Sequence, residues 1–390
     1  MTMPDSLAFR SPRRAIRLFQ IAAAAGACTL MAGWWLAPQR TWANLLLVSY
    51  GLLGLGLGGL LWIALHHVTG ARWSVPLLRV PEAMSSVLPI AAAGLVVVLL
   101  FRPSLYPWSA PTFAAESSSL LQRFWLSRPF FLIRALTYLA LWLVFAVLFA
   151  RASRQQLVAA DPPPTRSSLA LSAAFLVVFG ITCWLASYDW IMSLQPQWAS
   201  TIFGVYNFAG LFVSGLAAAT LLILWLRRHS SLEGVVTDDH LHDLGTLLFA
   251  FSSFWMYIWF CQYMVIWFAN NPEETVYYLR RASGAWISLA IANGVLGWGI
   301  PFLVLLFRRA KRTAKILGTV AMLILVGRWI DLYLMIFPSQ GELLPTPGPL
   351  EAGLLLGGLG VLGLAVFRAL ETTPHGPVTA TGLRQNSDGL

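Results

Sequence analysis

The stretch HDLGTLLFAFSSFWMYIWFCQYMVIWFANNPEET, residues 242–275, has no charged side chain between Asp243 and Glu273. A helix rises 1.5 Å per residue, so about twenty apolar residues cross the ~30 Å hydrocarbon of a bilayer. The stretch exceeds that length, and only a helix satisfies its own backbone polar groups in lipid. It therefore predicts a membrane helix over 243–269, stopped by the Asn-Asn-Pro that follows.

Nine further segments read the same way: 15–36, 42–66, 82–101, 129–150, 167–189, 200–226, 283–307, 313–337 and 348–369. The expected fold is an all-α integral membrane protein with about ten transmembrane helices. Composition agrees, since 58% of the 390 residues are hydrophobic, 11% are charged and the mean hydropathy is +0.70. Soluble domains carry roughly 25% charged residues, so a water-soluble fold is excluded.

The net charge of +10 would suggest a nucleic-acid partner in a soluble protein, but here it is read against topology. With the N-terminus inside, eighteen of the 26 Lys and Arg fall in inner segments, six fall in outer ones, and Arg134 and Arg328 lie within spans. Cytoplasmic segments retain such an excess, so both termini are expected there, and the partner is the lipid bilayer rather than nucleic acid. Residues 1–14 form a basic N-terminus, 15–370 the membrane domain, and 371–390 a polar tail expected to be disordered. The first apolar run, at about twenty residues, is longer than the 7–15 of a signal-peptide core, and an uncleaved first helix is expected.

The redox-active residue types are dispersed. His66 and His67 adjoin at the inner end of the second span and point about 100° apart on a helix. His229, His240 and His242 belong to an inner connection and His375 to the tail, so no two spans offer the facing histidines of a b-type haem. Cys28, Cys183 and Cys261 stand alone in apolar runs, without metal-site spacing. No metal site and no covalently bound cofactor is expected.

Ionisable groups within spans are expensive, so each is a functional candidate as well as a candidate structural pair. Following the helix directions gathers Asp189, Arg134, Arg328, Asp331, Gln262 and Tyr263 in the outer half, with Tyr188, Tyr206 and Asn207 at similar depth. Glu273 and Glu274 follow Pro272 just beyond the seventh span, either as titratable groups or as solvated residues after a helix stop. Arg328 and Asp331, spaced i, i+3, either neutralise each other or serve a proton or quinone role. Asp189 either caps the outer end of its helix, meeting Arg134 or an arginine of an outer loop, or has a functional role.

Half of the eighteen residues from Phe251 to Phe268 are aromatic, with Gln262 among them. A flat quinone head suits such a wall, but ordinary aromatic packing with an interfacial belt is the favoured reading from sequence alone. Gln262, Tyr263, Trp267 and Arg134 are the quinone-binding candidates. Asp189, Asp331, Arg328, Glu273, Glu274, His66, His67 and Tyr257 are the proton-path candidates, with Glu82, Asp238, Asp239 and Asp243 at the inner side and Tyr138, Ser252, Ser253 and Asn293 between.

Three stretches resemble a known family: HHVTGARWSVPLLRVPEAM (66–84), SYDWIMSLQPQWASTIFGVYNFAGLFVSGLA (187–217) and HDLGTLLFAFSSFWMYIWFCQYMVIWFANNPEET (242–275). Together they look like the second polysulfide-reductase-type membrane subunit of alternative complex III, the bacterial quinol:cytochrome c oxidoreductase. The resemblance implies two four-helix bundles, spans 2–5 (about 42–189) and 6–9 (about 200–337), with two peripheral helices. It implies a bacterial inner-membrane location and, as partners, a homologous membrane subunit, an iron-sulfur subunit, and multihaem and monohaem cytochromes c. Those partners would hold the haem and iron-sulfur clusters, and this chain would contribute a quinone-binding-like fold and proton translocation. One departure is Gln195-Pro196-Gln197, where the family often carries Glu-Pro-His. The alternatives are a proton-coupled secondary transporter, for which Gly294, Gly297, Gly299 and Pro301 would mark a broken helix, and an anchoring subunit without transport or catalysis.

Overall fold

The computed structural model describes residues 12–71, 73–110, 112–113, 120–158, 166–229, 235–341 and 344–372. The expectations for Arg10, Arg72, His375, Arg384 and nearly all of the 371–390 tail lie outside them. Every regular element among the described residues is helical, and ten helices are long and apolar enough to cross a membrane. The chain is a multi-pass membrane protein.

The spanning helices are α1 (Arg13–Leu36), α2 (Pro38–Thr69), α3 (Val75–Phe101), α5 (Arg128–Val158), α6 (Arg166–Trp190), α7 (Phe203–His229), α8 (Asp238–Ala269), α10 (Trp286–Leu305), α11 (Ala314–Ile336) and α12 (Pro349–Thr372). Short helices intervene, among them α4 (Leu120–Trp125), α9 (Pro272–Ala282) and the single turn Arg308–Arg312 between α10 and α11. All ten expected spans are present, with ends displaced by a few residues. An even number of crossings puts both ends of the helical domain on one side. The opposite side, expected from the sequence to be extracytoplasmic, is called outer below.

Helices α2, α3, α5 and α6 pack as one four-helix bundle and α7, α8, α10 and α11 as a second, joined mainly where α2 crosses α7. The crossing depends on size: a Cβ on Gly58 would stand 2.9 Å from the Cα of Gly215, so only glycine lets these backbones meet. Helices α1 and α12 pair with each other, and α12 lies against α2 and α3. Arg40 of α2 fixes that pair, since its Nε donates to the buried Glu351 of α12 at 2.6 Å. Asn44 Nδ2 donates to the same Glu351 oxygen at 2.8 Å.

Helix α8 ends at Ala269, as the sequence reading expects, but Pro272 then opens a further helix that the sequence reading does not include. It occupies the first turn of α9, where a missing N–H costs nothing, and Asn271 caps that helix by accepting from the Glu273 amide at 3.3 Å. Helix α10 is interrupted by a π-helical segment, Val295–Gly299, within the glycine-rich stretch that the transporter alternative singles out.

Candidate functional site

Each bundle holds one buried acid–base cluster near its outer end. In the first, Arg134 of α5 grips Asp189 of α6 with two parallel bonds, Nε to Oδ2 at 2.9 Å and Nη2 to Oδ1 at 2.8 Å. Tyr138 donates its hydroxyl to Oδ2 at 3.1 Å, and Trp125 its indole N–H to Oδ1 at 3.0 Å. The guanidinium carbon lies 4.0 Å from the Trp125 ring centre and 4.5 Å from that of Phe130. Asp189 is wholly buried, and Tyr106, Trp108, Phe131, Trp142 and Trp190 fill the surrounding space. Charge, hydrogen bonds and cation–π contacts together compensate the ion pair, which has the features of a closed structural cluster.

In the second bundle, Asp331 of α11 accepts from Arg328 Nη1 on the same helix and from the Tyr206 hydroxyl of α7. Asn293 Nδ2 of α10 donates to its Oδ1 at 2.9 Å. Asn293 lies two residues before the π segment, whose Gly297 backbone touches Gly327 of α11 so closely that a Cβ on Gly327 would stand 2.6 Å from the Gly297 nitrogen. π-Helical turns inside α-helices often mark functional sites, because they re-aim the residues beside them.

Unlike Asp189, Asp331 borders open space. A cavity of about 360 Å³ lies between α8, α10 and α11 under α9, within the 300–1,000 Å³ range of small-molecule sites. Asp331, Asn293 and Tyr206 form its inner wall. Trp255, Trp259, Gln262 and Tyr263 line it from α8, and Tyr277, Tyr278 and Arg281 from α9. On α10, Ile287 and Ile291 line the cavity and are also exposed on the outside of the bundle, so the cavity reaches the bundle's surface beside that helix. Burial pushes the Tyr277 and Tyr278 hydroxyls above the ordinary phenol range, which keeps both protonated and able to donate.

A second void, about 40 Å³, lies between the bundles and is bordered by Tyr50, Asn207 and Arg328. Tyr50 donates to Asn207 Oδ1 there at 3.1 Å. Arg328 faces this void while Asp331 faces the large cavity, so their ion pair separates the two spaces.

The structure thus brings Gln262, Tyr263 and Asp331 to one cavity, with Arg328 directly behind. Trp267 and Tyr257 do not join them: they are 62% and 61% exposed on the outward face of α8. A helix apolar all round does not reveal which side faces inward. Arg134 and Asp189 belong to the other bundle's closed cluster, away from the cavity. Glu273 and Glu274 lie in the first turn of α9 and do not line the cavity. His66 and His67 stand at the opposite, inner end of α2, with their Nδ1 atoms 2.7 Å from Ser74 Oγ and 3.0 Å from Ser172 Oγ.

The sequence reading missed Tyr277, Tyr278 and Arg281. Arg281 counts there as an outer-loop charge, yet it is buried over the cavity. Its Nη1 donates to Gln195 Oε1 at 3.4 Å, which places Gln195 against the roof of the site. No protein-family model and no curated protein matches the chain.

Proposed function

We propose that this chain is an integral subunit of a bacterial inner-membrane quinol:electron-acceptor oxidoreductase of the alternative complex III type. In this reading the cavity of the second bundle takes a quinone or quinol head. The observation that carries the assignment is the cavity itself: about 360 Å³, aromatic-walled, reaching the outside of the bundle beside α10 and bordered by the buried Asp331. A cavity that reaches the outside of the bundle along a spanning helix suits a ligand dissolved in the bilayer. The aromatic faces suit a flat ring, and Gln262, Tyr263, Tyr277 and Tyr278 supply polar atoms for its oxygens.

Oxidation of a quinol to a quinone releases two electrons and two protons. The electrons would be taken up by iron-sulfur and haem centres of partner subunits, an iron-sulfur protein and cytochromes c, beside a homologous membrane subunit. Asp331, with Tyr206, Asn293 and Arg328, is the group against which a proton would be handed on from this cavity. The further role proposed for the chain is proton translocation coupled to that turnover.

A proton-coupled secondary transporter is the second reading, favoured by the π-helical break of α10 beside a buried acid. Purification from the native membrane in mild detergent separates the two. The oxidoreductase reading expects c-type haem absorbance and extractable quinone to travel with the chain, and Gln262→Leu to lower quinol-dependent reduction of cytochrome c per assembled complex. A chain that purifies without haem-bearing partners or quinone, and that drives solute uptake in proteoliposomes, refutes it.

A further inference from the structure

We infer that α9 is a hinged lid over the cavity and that Arg281 is its latch; the inference rests on the cavity being the ligand site proposed above. Helix α9 roofs the cavity through Tyr277, Tyr278, Arg281 and Ala282, while Glu273, Val276, Leu279 and Arg280 face outward. Both of its joints have left-handed backbone. Asn270, with φ 47°, is the one non-glycine residue at positive φ among those described, and Gly284, with φ 55°, follows the helix. Rotation at these two joints moves α9 without unwinding α8 or α10, since one lies just past the end of α8 and the other just before α10.

The latch meets a chemical need at the end of α11. Residue 338 is proline, which has no N–H, so the Leu334 carbonyl lacks the donor that the fourth residue onward gives in a continuing helix. Arg281 Nε supplies that bond at 2.8 Å, and its Nη2 donates to the Met335 carbonyl at 3.1 Å. Nη1 also ties to the Tyr277 carbonyl at 2.8 Å, so one guanidinium joins α9 to the helix that carries Asp331. The second fastening is the Tyr277 ring, stacked on Trp198 at 3.8 Å with 13° between planes. When the lid is down, the inner wall of Asp331, Tyr206 and Asn293 is closed off from above. When it lifts, the cavity widens at its outer end, and a head group reaches the acid. Arg281 is a positioning residue in this scheme, because it acts on the ligand through the helix it holds.

The test is hydrogen–deuterium exchange on the intact complex, with and without decylubiquinol, followed across peptides covering 272–282 and the flanking α8 and α10. Arg281→Met should speed exchange in α9 by about tenfold, the usual consequence of stranding buried acceptors, while α8 and α10 keep wild-type rates. Decylubiquinol should slow α9 exchange in the wild type and dissociate faster from the variant. Arg281→Lys should restore part of both effects. Gly284→Ala, whose Cβ would meet nothing within 4 Å, strains only the joint and should also release the ligand faster. Asn270→Gly keeps the joint and should match the wild type.

If Arg281→Met does not assemble, Arg281→Lys and Gly284→Ala carry the comparison. Unchanged α9 exchange in assembled latch variants overturns the lid, as does α9 exchanging in step with α8 and α10. Should decylubiquinol bind while the latch variants change neither exchange nor dissociation, the lid fails and the quinone assignment stands. Should it not bind the wild type although α9 opens as described, the quinone assignment fails and the lid stands.

Discussion

Asp331 accepts from three side chains on three helices, and the removal of each should act differently. Asp331→Asn leaves the Arg328 charge buried without its counter-ion, and breaking one side of a buried pair costs about 3–5 kcal/mol. The expected outcome is poor assembly, visible as a loss of complex on native gels, which by itself says nothing about chemistry. Arg328→Gln with Asp331→Asn removes both charges and keeps similar volumes, so the complex should assemble. Turnover per assembled complex should then fall if Asp331 hands on protons, and unchanged turnover with unchanged proton release would remove that role. The Arg328–Asp331 pairing was legible from i, i+3 spacing alone, whereas Arg134, 55 positions from Asp189, was one candidate partner beside the arginines of the outer loops. Tyr206 was noticed only for its depth. The meeting of Asn293 and Asp331, 38 positions apart, depends on helix rotations that a sequence apolar on every face does not encode.

Among the elements, α10 decides how that acid is dressed. Its π segment puts Gly297 against Gly327 and sets Asn293 on Asp331, so backbone contact between α10 and α11 controls the hydrogen bond. Gly327→Ala would place a Cβ 2.6 Å from the Gly297 nitrogen, and backbone atoms cannot turn aside as a side chain can. The helices must part, with an overpacking cost of about 1–3 kcal/mol, and Asn293 leaves the carboxylate. The melting temperature of the purified complex should fall, and turnover should fall with it. Gly299→Ala is the control: its Cβ would meet only the Gly294 carbonyl at an ordinary 3.7 Å, so both quantities should stay near wild type. The ten spans were legible because length and hydropathy are one-dimensional properties. Helix α9 was not, since its eleven residues carry Glu273, Glu274, Arg280 and Arg281, and the same proline that stops α8 also starts it. The informative signal was Asn271 ahead of Pro272, a capping residue before a favoured first-turn residue.

At the scale of the whole molecule, the two bundles carry the same motif in two states. Asp189 precedes Pro196 and Asp331 precedes Pro338, each by seven positions, at the outer end of the last helix of its bundle. Each helix finishes in a 3₁₀ turn, Met192–Leu194 and Phe337–Gln340, and each acid is held by a buried arginine and a tyrosine hydroxyl. A repeat of two residues across so long an interval does not stand out from chance in one sequence, and the spatial match makes it visible. The difference lies in what surrounds the acids. In the first bundle aromatic rings fill the space and Trp125 takes the remaining face of Asp189; in the second, Asp331 opens onto about 360 Å³. If the open bundle holds the function and the filled one holds the fold, equivalent changes should part in their effects. Arg134→Gln with Asp189→Asn removes a buried pair as a whole, which folded proteins often tolerate. The complex should assemble with a lowered melting temperature, because the bidentate bonds and the cation–π contacts are lost, and turnover per assembled complex should remain that of the wild type. The matching change at Arg328 and Asp331 should assemble and lose turnover. The decisive measurement is turnover normalised to assembled complex for both double variants side by side. Equal losses would mean that both acids serve one coupled process, and the division between an open working bundle and a filled structural one would then be wrong.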